Sequence, residues 1–409
     1  MTRRTFVTIG AGQTAAVAAR NLRRRGFDGR IVLLGAEPHA PYQRPPLSKE
    51  FLAGTDDLDS LWLLPPKWLA DNDIEIITGA QVQQLDTAAR SVRVAGGPDV
   101  RADAVLFATG GSPRTLPAPG PRPDLIHYLR TLDDATRLAP MLTPGRRLAI
   151  VGAGFLGLEL AATATAAGVD VTVIEAADVP LARVVGAAMG QAVCGLHRDA
   201  GVDLRTGTEL TAIRTTEHGV LVELADGTVV DADVAVVGIG ITPNVAAAAA
   251  TGLHLDDGIV TDAAGRTSVP HVFAAGDVAR RYSPRAGTHV RLEHFDNASR
   301  QGAAVANAML GRDAVADDPP WFWSDQFGRN IQFVGAAAGI PVIRGDVDRM
   351  DFTGFYLRGG TVCGAFSVDR GEDIMAGREL LGREVATEAL CDEDTDLWDL
   401  VYDDEQVHA

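Results

Sequence analysis

Cysteine is scarce in this sequence, and long apolar runs are missing from it. The 409 residues include three cysteines, Cys194, Cys363 and Cys391, which lie far apart and form neither a Cys-x-x-Cys pair nor a metal-ligand spacing. We therefore expect buried, reduced thiols and no metal site. No run of 18 apolar residues occurs, so the sequence predicts no membrane-spanning helix.

Positive charge is also in deficit. The 37 Lys and Arg residues are outnumbered by 54 Asp and Glu residues, which leaves a formal net charge of −17. This balance argues against nucleic acid as a partner. The basic and then apolar start of the chain resembles a signal peptide, but its apolar part is short and runs into a glycine motif. We interpret it as a first strand and expect a cytoplasmic protein of two or three domains.

The clearest pattern that is present lies between residues 148 and 175. A buried strand over 148–151 is followed by Gly152, Gly154 and Gly157, an Ala-rich helix to residue 167, and a second strand over 171–174 that ends in Glu175. In such a βαβ unit the glycines allow a tight turn, the approach of a pyrophosphate and close helix–strand packing. The helix N-terminus attracts the phosphates, and Glu175 can accept from a ribose 2′-hydroxyl.

A second copy of the motif opens the chain. A strand over residues 5–9 precedes Gly10 and Gly12, with Ala15 in the third-glycine position, and a helix runs to about residue 25. A strand over 31–34 follows, and Glu37 is the nearest carboxylate to the ribose position. Two fingerprints imply either two bound dinucleotides or one old duplication with an inactive copy, and we favour two dinucleotides.

The segment PYQRPPLSKEFLAG, residues 41–54, allows two interpretations. It is either a rigid surface turn or a loop held stiffly so that Lys49 points at a cofactor, and Ser48 is expected to cap a helix that begins near Lys49. Only two of the 37 basic residues are lysines, Lys49 and Lys67. A chain that prefers Arg so strongly has kept Lys at this place.

Further strands end in small or acidic residues. The runs over 105–110 and 234–244 are both buried strands that break into Gly or Pro, and the run over 272–278 ends on Gly276 and Asp277. Asp277 suits either a sugar-alcohol hydroxyl or a helix cap, and the pattern alone does not separate the two. A long helix is expected to end near residue 310.

The last part of the chain is aromatic and rich in strands. Strands are predicted over 331–334, 341–343, 351–358 and 361–368, with a hairpin through Gly359 and Gly360. A helix over about 372–383 follows.

These segments occur in one order that resembles a known family. The segments GAGQTA, RPPLSK, ATG, LRTL, VGAGFLGLE, GIGITPN, AAGDVA, EHFDNASRQG and PWFWSDQ resemble the FAD- and pyridine-nucleotide-dependent ferredoxin reductases of bacterial oxygenase systems. The resemblance covers essentially the whole chain, and RPPLSK and FWSDQ are more specific than either glycine fingerprint. It implies an α/β, glutathione-reductase-like fold with two Rossmann-like dinucleotide-binding domains and a C-terminal α+β domain that covers the flavin.

The resemblance also implies domain bounds and site residues. The FAD-binding domain would comprise residues 1–114 and 240–318, the NAD-binding domain 115–239, and the C-terminal domain 319–409. Tightly but non-covalently bound FAD would contact Gly10, Gly12, Thr14, Ala15, Ala36, Glu37, Arg44, Lys49, Val82, Ala108, Thr109, Gly110, Arg130, Gly276, Asp277, Glu293, His294, Phe295 and Trp323. NADH would contact Gly152, Gly154, Phe155, Leu156, Gly157, Glu159, Glu175, Arg183 and Gly240.

Specific roles follow for some of these residues. Asp277 would hold the ribitol chain, while Phe155 would gate the nicotinamide face and Trp323 would approach the flavin, with core packing as the alternative for both aromatics. Phe295 stands where the family often has Trp, so the flavin edge differs here. Glu175 is followed by residues 176–178, AAD, with no cation for a 2′-phosphate, so NADH should be preferred over NADPH.

Lys49 and Glu159 are expected to form a catalytic pair. A carboxylate on a mostly apolar helix face needs a partner, because burying it alone is costly. A compact ammonium can sit beside the reactive flavin nitrogen and stabilise negative charge there, where the broad fork of Arg fits less easily. The alternative is a surface lysine and a helix-face glutamate that make no contact.

The function implied is hydride transfer from NADH to FAD, followed by single-electron transfer to a [2Fe–2S] ferredoxin that serves an oxygenase. The loop RPPLSKEFLAG contains no cysteine, so electrons must leave without a thiol relay. Two alternatives are an apoptosis-inducing-factor-like redox sensor and a reductase of a small molecule such as a quinone. We expect a monomer or weak dimer, with ferredoxin docking on the arginines of residues 280–291 or with those arginines simply solvated.

Overall fold

The structure is a computed structural model that describes residues 3–313 and 317–402. The chain packs as two units. The first unit combines the chain up to Pro45 with Asp57–Ser112 and Ile241–Asp318. The second combines Pro46–Asp56, Pro113–Gly240 and the chain from Pro319 onwards. The loop that carries Lys49 therefore packs with the second unit, although it lies inside the predicted bounds of the FAD-binding domain.

The first unit is built on a parallel sheet whose strands are almost entirely buried. Val7, Val32 and Leu106 are fully buried because helices and loops cover both faces, as parallel sheets require. In spatial order the five strands are Ile74–Ile77, Arg30–Leu34, Thr5–Ile9, Ala104–Phe107 and Val272–Ala274.

Smaller elements complete this unit. The α-helices are Gln13–Arg24, Pro66–Asp71 and Phe295–Met309. One three-stranded sheet comprises Val82–Asp86, Ser91–Val94 and Val100–Arg101, and another comprises Ile259–Thr261, Ala279–Ser283 and Thr288–Val290.

The second unit repeats the parallel sheet. Its strands carry apolar runs such as residues 234–237, all buried. In spatial order the five strands are Asp203–Arg205, Asp170–Ile174, Arg147–Val151, Val234–Val237 and Ile126–His127. A three-stranded antiparallel sheet accompanies it, formed by Leu210–Thr215, Val220–Leu224 and Val229–Ala232.

The second unit also contains a five-stranded antiparallel sheet near the end of the chain. Its strands, in spatial order, are Trp321–Gln326, Arg329–Gly335, Thr361–Val368, Asp351–Arg358 and Val342–Asp346. The α-helices of this unit are Leu132–Leu138, Phe155–Ala166, Ala182–Val185, Ala187–Asp199, Gly371–Glu379, Thr387–Cys391 and Leu397–Tyr402.

Most predicted elements are confirmed, and the hairpin through Gly359 and Gly360 has the predicted bounds. The helix expected to begin near Lys49 is wrong. Residues Pro45–Ser48 form a single 3-10 turn instead, and the Pro46 carbonyl accepts from the N–H groups of Lys49 and Phe51. Ser48 therefore does not cap a helix, and its hydroxyl is available for another partner.

Many elements were not predicted, among them the helix Ala187–Asp199 and the strand Leu210–Thr215. The helix Ala187–Asp199 contains Gly190 and Gly195, which weaken the helical pattern in the sequence. The strand Leu210–Thr215 carries a bulge and alternates only partly between buried and exposed positions. Throughout residues 3–313 and 317–402, no helix combines the length and the apolar character needed to cross a membrane.

Candidate functional site

The glycine loop of the first unit has the shape that a phosphate group needs. Gly10 has φ +106°, and a Cβ there would lie 2.1 Å from the carbonyl oxygen of Ala108, so only glycine fits. At Gly12, which precedes the helix Gln13–Arg24, a Cβ would have no described atom within 4 Å. The loop is thus closed on its strand side and open before a helix N-terminus, which fits the pyrophosphate of FAD.

Two neighbouring segments close around this loop. A Cβ at Gly276 would lie 2.4 Å from Thr14 Oγ1, so the turn before Asp277 touches the start of the helix. The Gly276 N–H donates to the buried Gln301 side chain at 2.8 Å. The structure therefore brings together predicted residues from three distant parts of the sequence, and Gln301 supports them although sequence reasoning missed it.

The turn that contains Ala108, Thr109 and Gly110 is anchored by Asn244. Thr109 Oγ1 donates to the Asn244 carbonyl at 2.7 Å, and the Asn244 amide donates to the Thr109 carbonyl at 3.0 Å. The sequence signal for Asn244 was its place at the end of GIGITPN.

Glu37 lies beyond the second strand and binds side chains of its own unit. Tyr42 donates its hydroxyl to Glu37, and Arg44 Nη2 lies 2.5 Å from Glu37 Oε1. Burial opposes the charge on Arg44, but Tyr42, Glu37 and Asp277 together hold its pKa above the ordinary value. Arg44, Glu37 and Asp277 therefore share one electrostatic environment, and their contact with FAD stays a prediction.

His294, Phe295 and Glu293 lie at the start of the helix Phe295–Met309. Burial lowers the pKa of His294, opposed by the charges of Asp277 and Asp296. Glu293 binds Arg291 at 2.5 Å, so its carboxylate is engaged with a neighbour. Other predicted contacts are peripheral in their own units: Ala36, Arg183 and Gly240 are exposed, whereas Val82 and Arg130 are half-buried.

The glycine loop of the second unit is also open before a helix N-terminus. A Cβ at Gly157 would lie 2.1 Å from the carbonyl oxygen of Gly152, whereas one at Gly154 would meet no described atom within 4 Å. Glu175 accepts from the N–H of Ala153 at 2.7 Å and from that of Ala177 at 2.8 Å. The carboxylate thus lies over the loop, where a nucleotide ribose is expected.

Lys49 and Glu159 form the predicted contact inside the second unit. Lys49 Nζ lies 3.5 Å from Glu159 Oε1 and 3.5 Å from Asp325 Oδ2. Both Lys49 and Glu159 are 8% exposed. The hydroxyls of Ser48 and Ser324 donate to the two oxygens of Glu159 at 2.6 and 2.7 Å. The interpretation of two unrelated surface charges is therefore wrong.

Burial raises the pKa of the Glu159 carboxyl above its ordinary value, while Lys49 and the two serine hydroxyls oppose that effect. The loop that brings Lys49 here is fixed by Thr163, whose hydroxyl donates to the Ser48 carbonyl at 2.7 Å. Since Thr163 lies on the same helix as Glu159, one helix positions both members of the pair.

The aromatic residues near this pair also lie in the second unit. Lys49 Nζ is 5.8 Å from the ring centroid of Trp323, which stacks on Trp321 at 5.3 Å. Phe155 contacts Phe322 at a centroid separation of 4.4 Å, and Leu156 beside it is exposed. Phe155 thus packs against the C-terminal sheet, and its role as a gate stays a prediction.

The arginines of residues 280–291 are engaged with acids. Arg280 lies 2.6 Å from Asp256, and Arg291 lies 3.1 Å from Asp257. Arg281 is buried beside Asp317, which also accepts from the Arg285 N–H. The local positive charge is therefore smaller than the sequence indicates.

Comparison with known proteins identifies the family of this chain. The profile of the pyridine nucleotide-disulphide oxidoreductase family matches residues 4–302, and the reductase C-terminal profile matches residues 321–401. Rhodocoxin reductase of Rhodococcus erythropolis is 39% identical over 96% of this chain and 93% of its own. The ferredoxin–NAD(+) reductase component of the anthranilate 1,2-dioxygenase system of Burkholderia cepacia is 39% identical over 92% of this chain and 93% of its own.

The fold is similar to that of solved ferredoxin reductases. The reductase of the covalent putidaredoxin reductase–putidaredoxin complex superposes with a TM-score of 0.93 at 34% identity, over 98% of this chain and 99% of that one. The predicted family resemblance and the glutathione-reductase-like fold class are therefore confirmed. This chain belongs to the pyridine nucleotide-disulphide oxidoreductase family, in the branch formed by the ferredoxin reductases of oxygenase systems.

Proposed function

We propose that this protein is an FAD-dependent reductase that takes electrons from NADH and delivers them singly to a [2Fe–2S] ferredoxin serving an oxygenase. The observation that carries this proposal is the combination of two open glycine loops with the buried Lys49–Glu159 pair. Relatives that match almost the whole chain are reductases of this kind. Bound FAD supplies the chemistry that converts a two-electron donor into single electrons.

The residues of the first unit would hold FAD. The open loop at Gly12 would take the pyrophosphate, Glu37 and Arg44 would meet the ribose side, and Asp277 would hold the ribitol hydroxyls. The residues at the second loop would hold NADH, with Glu175 selecting against a 2′-phosphate by charge repulsion.

Lys49 and Glu159 would act on the electrostatics of the reacting ring. The Lys49 ammonium is held in a buried position by two carboxylates, Glu159 and Asp325. A fixed positive charge in a poorly hydrated site stabilises developing negative charge more than a mobile charge in water does. Glu159 would orient Lys49 and contact the arriving nicotinamide.

A thiol relay plays no part in this proposal. All three cysteines are free, but the expectation that they are all buried is wrong, because only Cys194 is buried, whereas Cys363 is half-buried and Cys391 is exposed. The loop 46–56 contains no cysteine, whereas disulfide-reducing members of the fold need a redox-active pair there. Electrons would therefore leave directly to the partner protein.

We also propose three functional domains within the two packed units. The FAD-binding domain comprises residues 1–114 and 240–318, the NAD-binding domain 115–239, and the C-terminal domain 319–409. The protein would work in the cytoplasm as a monomer or weak dimer.

Steady-state kinetics with purified protein test the proposed function. NADH-dependent reduction of a [2Fe–2S] ferredoxin should exceed that of quinones by at least about tenfold in kcat/KM, which corresponds to about 1.4 kcal/mol of transition-state free energy. Equal or faster quinone reduction would instead support a small-molecule reductase. Association changes on adding NADH, without ferredoxin reduction, would support a redox sensor.

We propose the segment 280–291 as the ferredoxin docking face. Arg280→Glu combined with Arg285→Glu should raise the ferredoxin KM only about three- to tenfold, because acids already neutralise part of this surface, and the effect should shrink at high salt. Arg122→Glu combined with Arg214→Glu, at two exposed ion pairs in the other unit, is the charge-matched control. An unchanged ferredoxin KM in the double variant of Arg280 and Arg285 would exclude residues 280–291 as the docking face.

A further inference from the structure

A chain of buried polar side chains extends from Glu159 into the second unit. Ser324 donates to Glu159 at 2.7 Å, the Gln326 amide donates to Ser324 Oγ at 2.8 Å, and Gln326 Oε1 lies 2.8 Å from His197 Nε2. Ser324 and His197 are fully buried, and Gln326 is 1% exposed. Fully buried polar groups need partners, and these residues form hydrogen bonds with one another in series.

While Glu159 is ionised, the hydrogen bonds that link these side chains can be donated in only one direction, towards Glu159. A serine hydroxyl has a single proton, and the ionised carboxylate of Glu159 can only accept, so the Ser324 proton points at Glu159. The lone pairs of Ser324 then receive the Gln326 N–H, which leaves Gln326 Oε1 facing His197. His197 Nε2 must therefore carry a proton, and its Nδ1 has no hydrogen-bond partner among the residues that the structure describes.

The backbone next to Gln326 has an uncommon conformation that helps to position these side chains. Phe327, next to Gln326, has φ +50°, an uncommon conformation for a bulky residue. Its ring meets the His197 ring edge-on at a centroid separation of 5.0 Å. A strained turn that covers the histidine with an aromatic ring keeps water from His197, so the imidazole stays neutral and acts as a fixed donor.

We propose that Ser324, Gln326 and His197 are positioning residues that hold the ionised Glu159 carboxylate in the orientation facing Lys49. His197 orients the Gln326 amide, Gln326 orients the Ser324 hydroxyl, and Ser324 stabilises the charged form of Glu159. The proposal rests on the proposed function, because its consequence is the strength and pH dependence of nicotinamide nucleotide binding at Glu159.

The groups that face Glu159 from neighbouring elements are few. Lys49 comes from the loop Pro46–Asp56, and Asp325, which binds Lys49, comes from the strand Trp321–Gln326. On its own helix, Phe155–Ala166, Glu159 is the only ionisable residue. Removal of the Ser324 hydroxyl should therefore raise the pKa of Glu159, because the charged form loses a hydrogen bond and gains no substitute.

The test is the pH dependence of NAD⁺ binding to the oxidised holoenzyme, measured by equilibrium titration. For Ser324→Ala the acid limb of the affinity profile should move up by about one pH unit, since a hydrogen bond to a charged group has about that effect. His197→Phe should move it by about half a unit, whereas His197→Gln, whose amide N–H replaces Nε2–H, should restore the wild-type profile.

Double variants distinguish a positioning role of these residues from a role in packing alone. His197→Phe should have no further effect in a Ser324→Ala background, but its shift should add to that of Ser48→Ala, because Ser48 binds the other oxygen of Glu159. Additive shifts for Ser324→Ala and His197→Phe, or a wild-type acid limb in His197→Phe, would overturn the proposal. If Ser324→Ala does not fold, the His197→Phe and His197→Gln pair decides alone.

Failure of this proposal differs from failure of the proposed function. Variants that reduce ferredoxin and keep the wild-type pH profile of NAD⁺ affinity would remove the positioning role only. Wild-type protein that does not reduce ferredoxin would remove the proposed function, whatever the titrations show.

Discussion

The two glycine loops share a sequence motif but solve the same packing problem differently. In the second loop the helix itself carries the glycine, because a Cβ at Gly157 would lie 2.1 Å from a backbone oxygen. In the first loop Ala15 occupies that position and is fully buried. There the close approaches come from neighbours, since Cβ atoms at Gly276 and Gly302 would lie 2.4 and 2.7 Å from Thr14.

The acids that follow the two loops differ as well. Glu175 directly follows its strand and accepts from the loop N–H of Ala153, whereas Glu37 follows two extra residues and binds Tyr42 and Arg44. A carboxylate that is satisfied by backbone N–H groups can exchange them for ribose hydroxyls. A carboxylate that is paired with an arginine is held in place by the ion pair. The comparison indicates an exchangeable nucleotide at the second loop and a retained one at the first.

The largest effect should come from adding a methyl group to the second loop. Gly157→Ala forces the helix away from the Gly152 carbonyl, so NAD⁺ affinity should fall by about 100-fold, roughly 2.7 kcal/mol, while FAD content stays normal. Titration with NAD⁺ and absorbance of the bound flavin measure the two outcomes.

The control for this experiment reverses the substitution in the first loop. Ala15→Gly adds no clash and should cost only about 1 kcal/mol of unfolding free energy, with both cofactors still bound. Loss of FAD in Gly157→Ala, with NAD⁺ affinity unchanged, would mean that the two loops are assigned the wrong way round.

The next largest effect should come from removing the ammonium of Lys49, which contacts the carboxylates of Glu159 and Asp325. Lys49→Met removes the buried ammonium and should lower the two-electron potential of the bound flavin by about 30 mV, which corresponds to about 1.4 kcal/mol. Reduction by NADH should slow about tenfold, as stopped-flow absorbance can measure. Lys67→Met is the matched control, because the side chain of Lys67 is 86% exposed. A wild-type potential in Lys49→Met would exclude an electrostatic role for Lys49.

A smaller effect should appear in the choice of nucleotide. Glu175→Ala removes the carboxylate that repels a 2′-phosphate, so the ratio of kcat/KM for NADH to that for NADPH should fall about tenfold. Glu37→Ala removes the corresponding acid of the first unit and should leave this ratio unchanged. If the wild-type enzyme used both nucleotides equally well, the assignment of Glu175 would be wrong.

The smallest effect concerns stability at acid pH. Burial lowers the pKa of His127, His197 and His294 below the ordinary value of 6.5. Each stays neutral in the folded protein but takes up a proton on unfolding, so stability should fall as pH drops below about 6.5. His197→Gln should reduce this loss by up to about 1.4 kcal/mol per pH unit relative to the wild-type protein. Urea unfolding at pH 8 and pH 5.5 compares the slopes, and equal slopes would contradict neutral burial of His197.

Much of this architecture could be predicted from local sequence patterns. The two βαβ units were predictable because glycine spacing and strand length depend on neighbouring residues, and the hairpin through Gly359 and Gly360 was predictable for the same reason. The Lys49–Glu159 contact was predictable from the cost of an unpaired carboxylate on an apolar helix.

The remaining features depend on residues far apart in the sequence. Proline at positions 45 and 46 excluded a helix there, but the hydrogen bond from Ser48, at the end of the 3-10 turn, is made to Glu159, over a hundred residues away. The contact between His197 and Gln326 joins a glycine-containing helix to a strand that begins at Trp321, and no spacing rule connects them. The ion pairs of Arg280 and Arg291 likewise depend on acids in a different loop.

The most direct test of two separate dinucleotide sites is a count of bound nucleotides. The purified holoenzyme should release one FAD per chain on denaturation, and titration of the oxidised holoenzyme with NAD⁺ should show one further site with no displacement of FAD. Displacement of FAD by NAD⁺, or a second equivalent of FAD in place of the NAD⁺ site, would contradict the account.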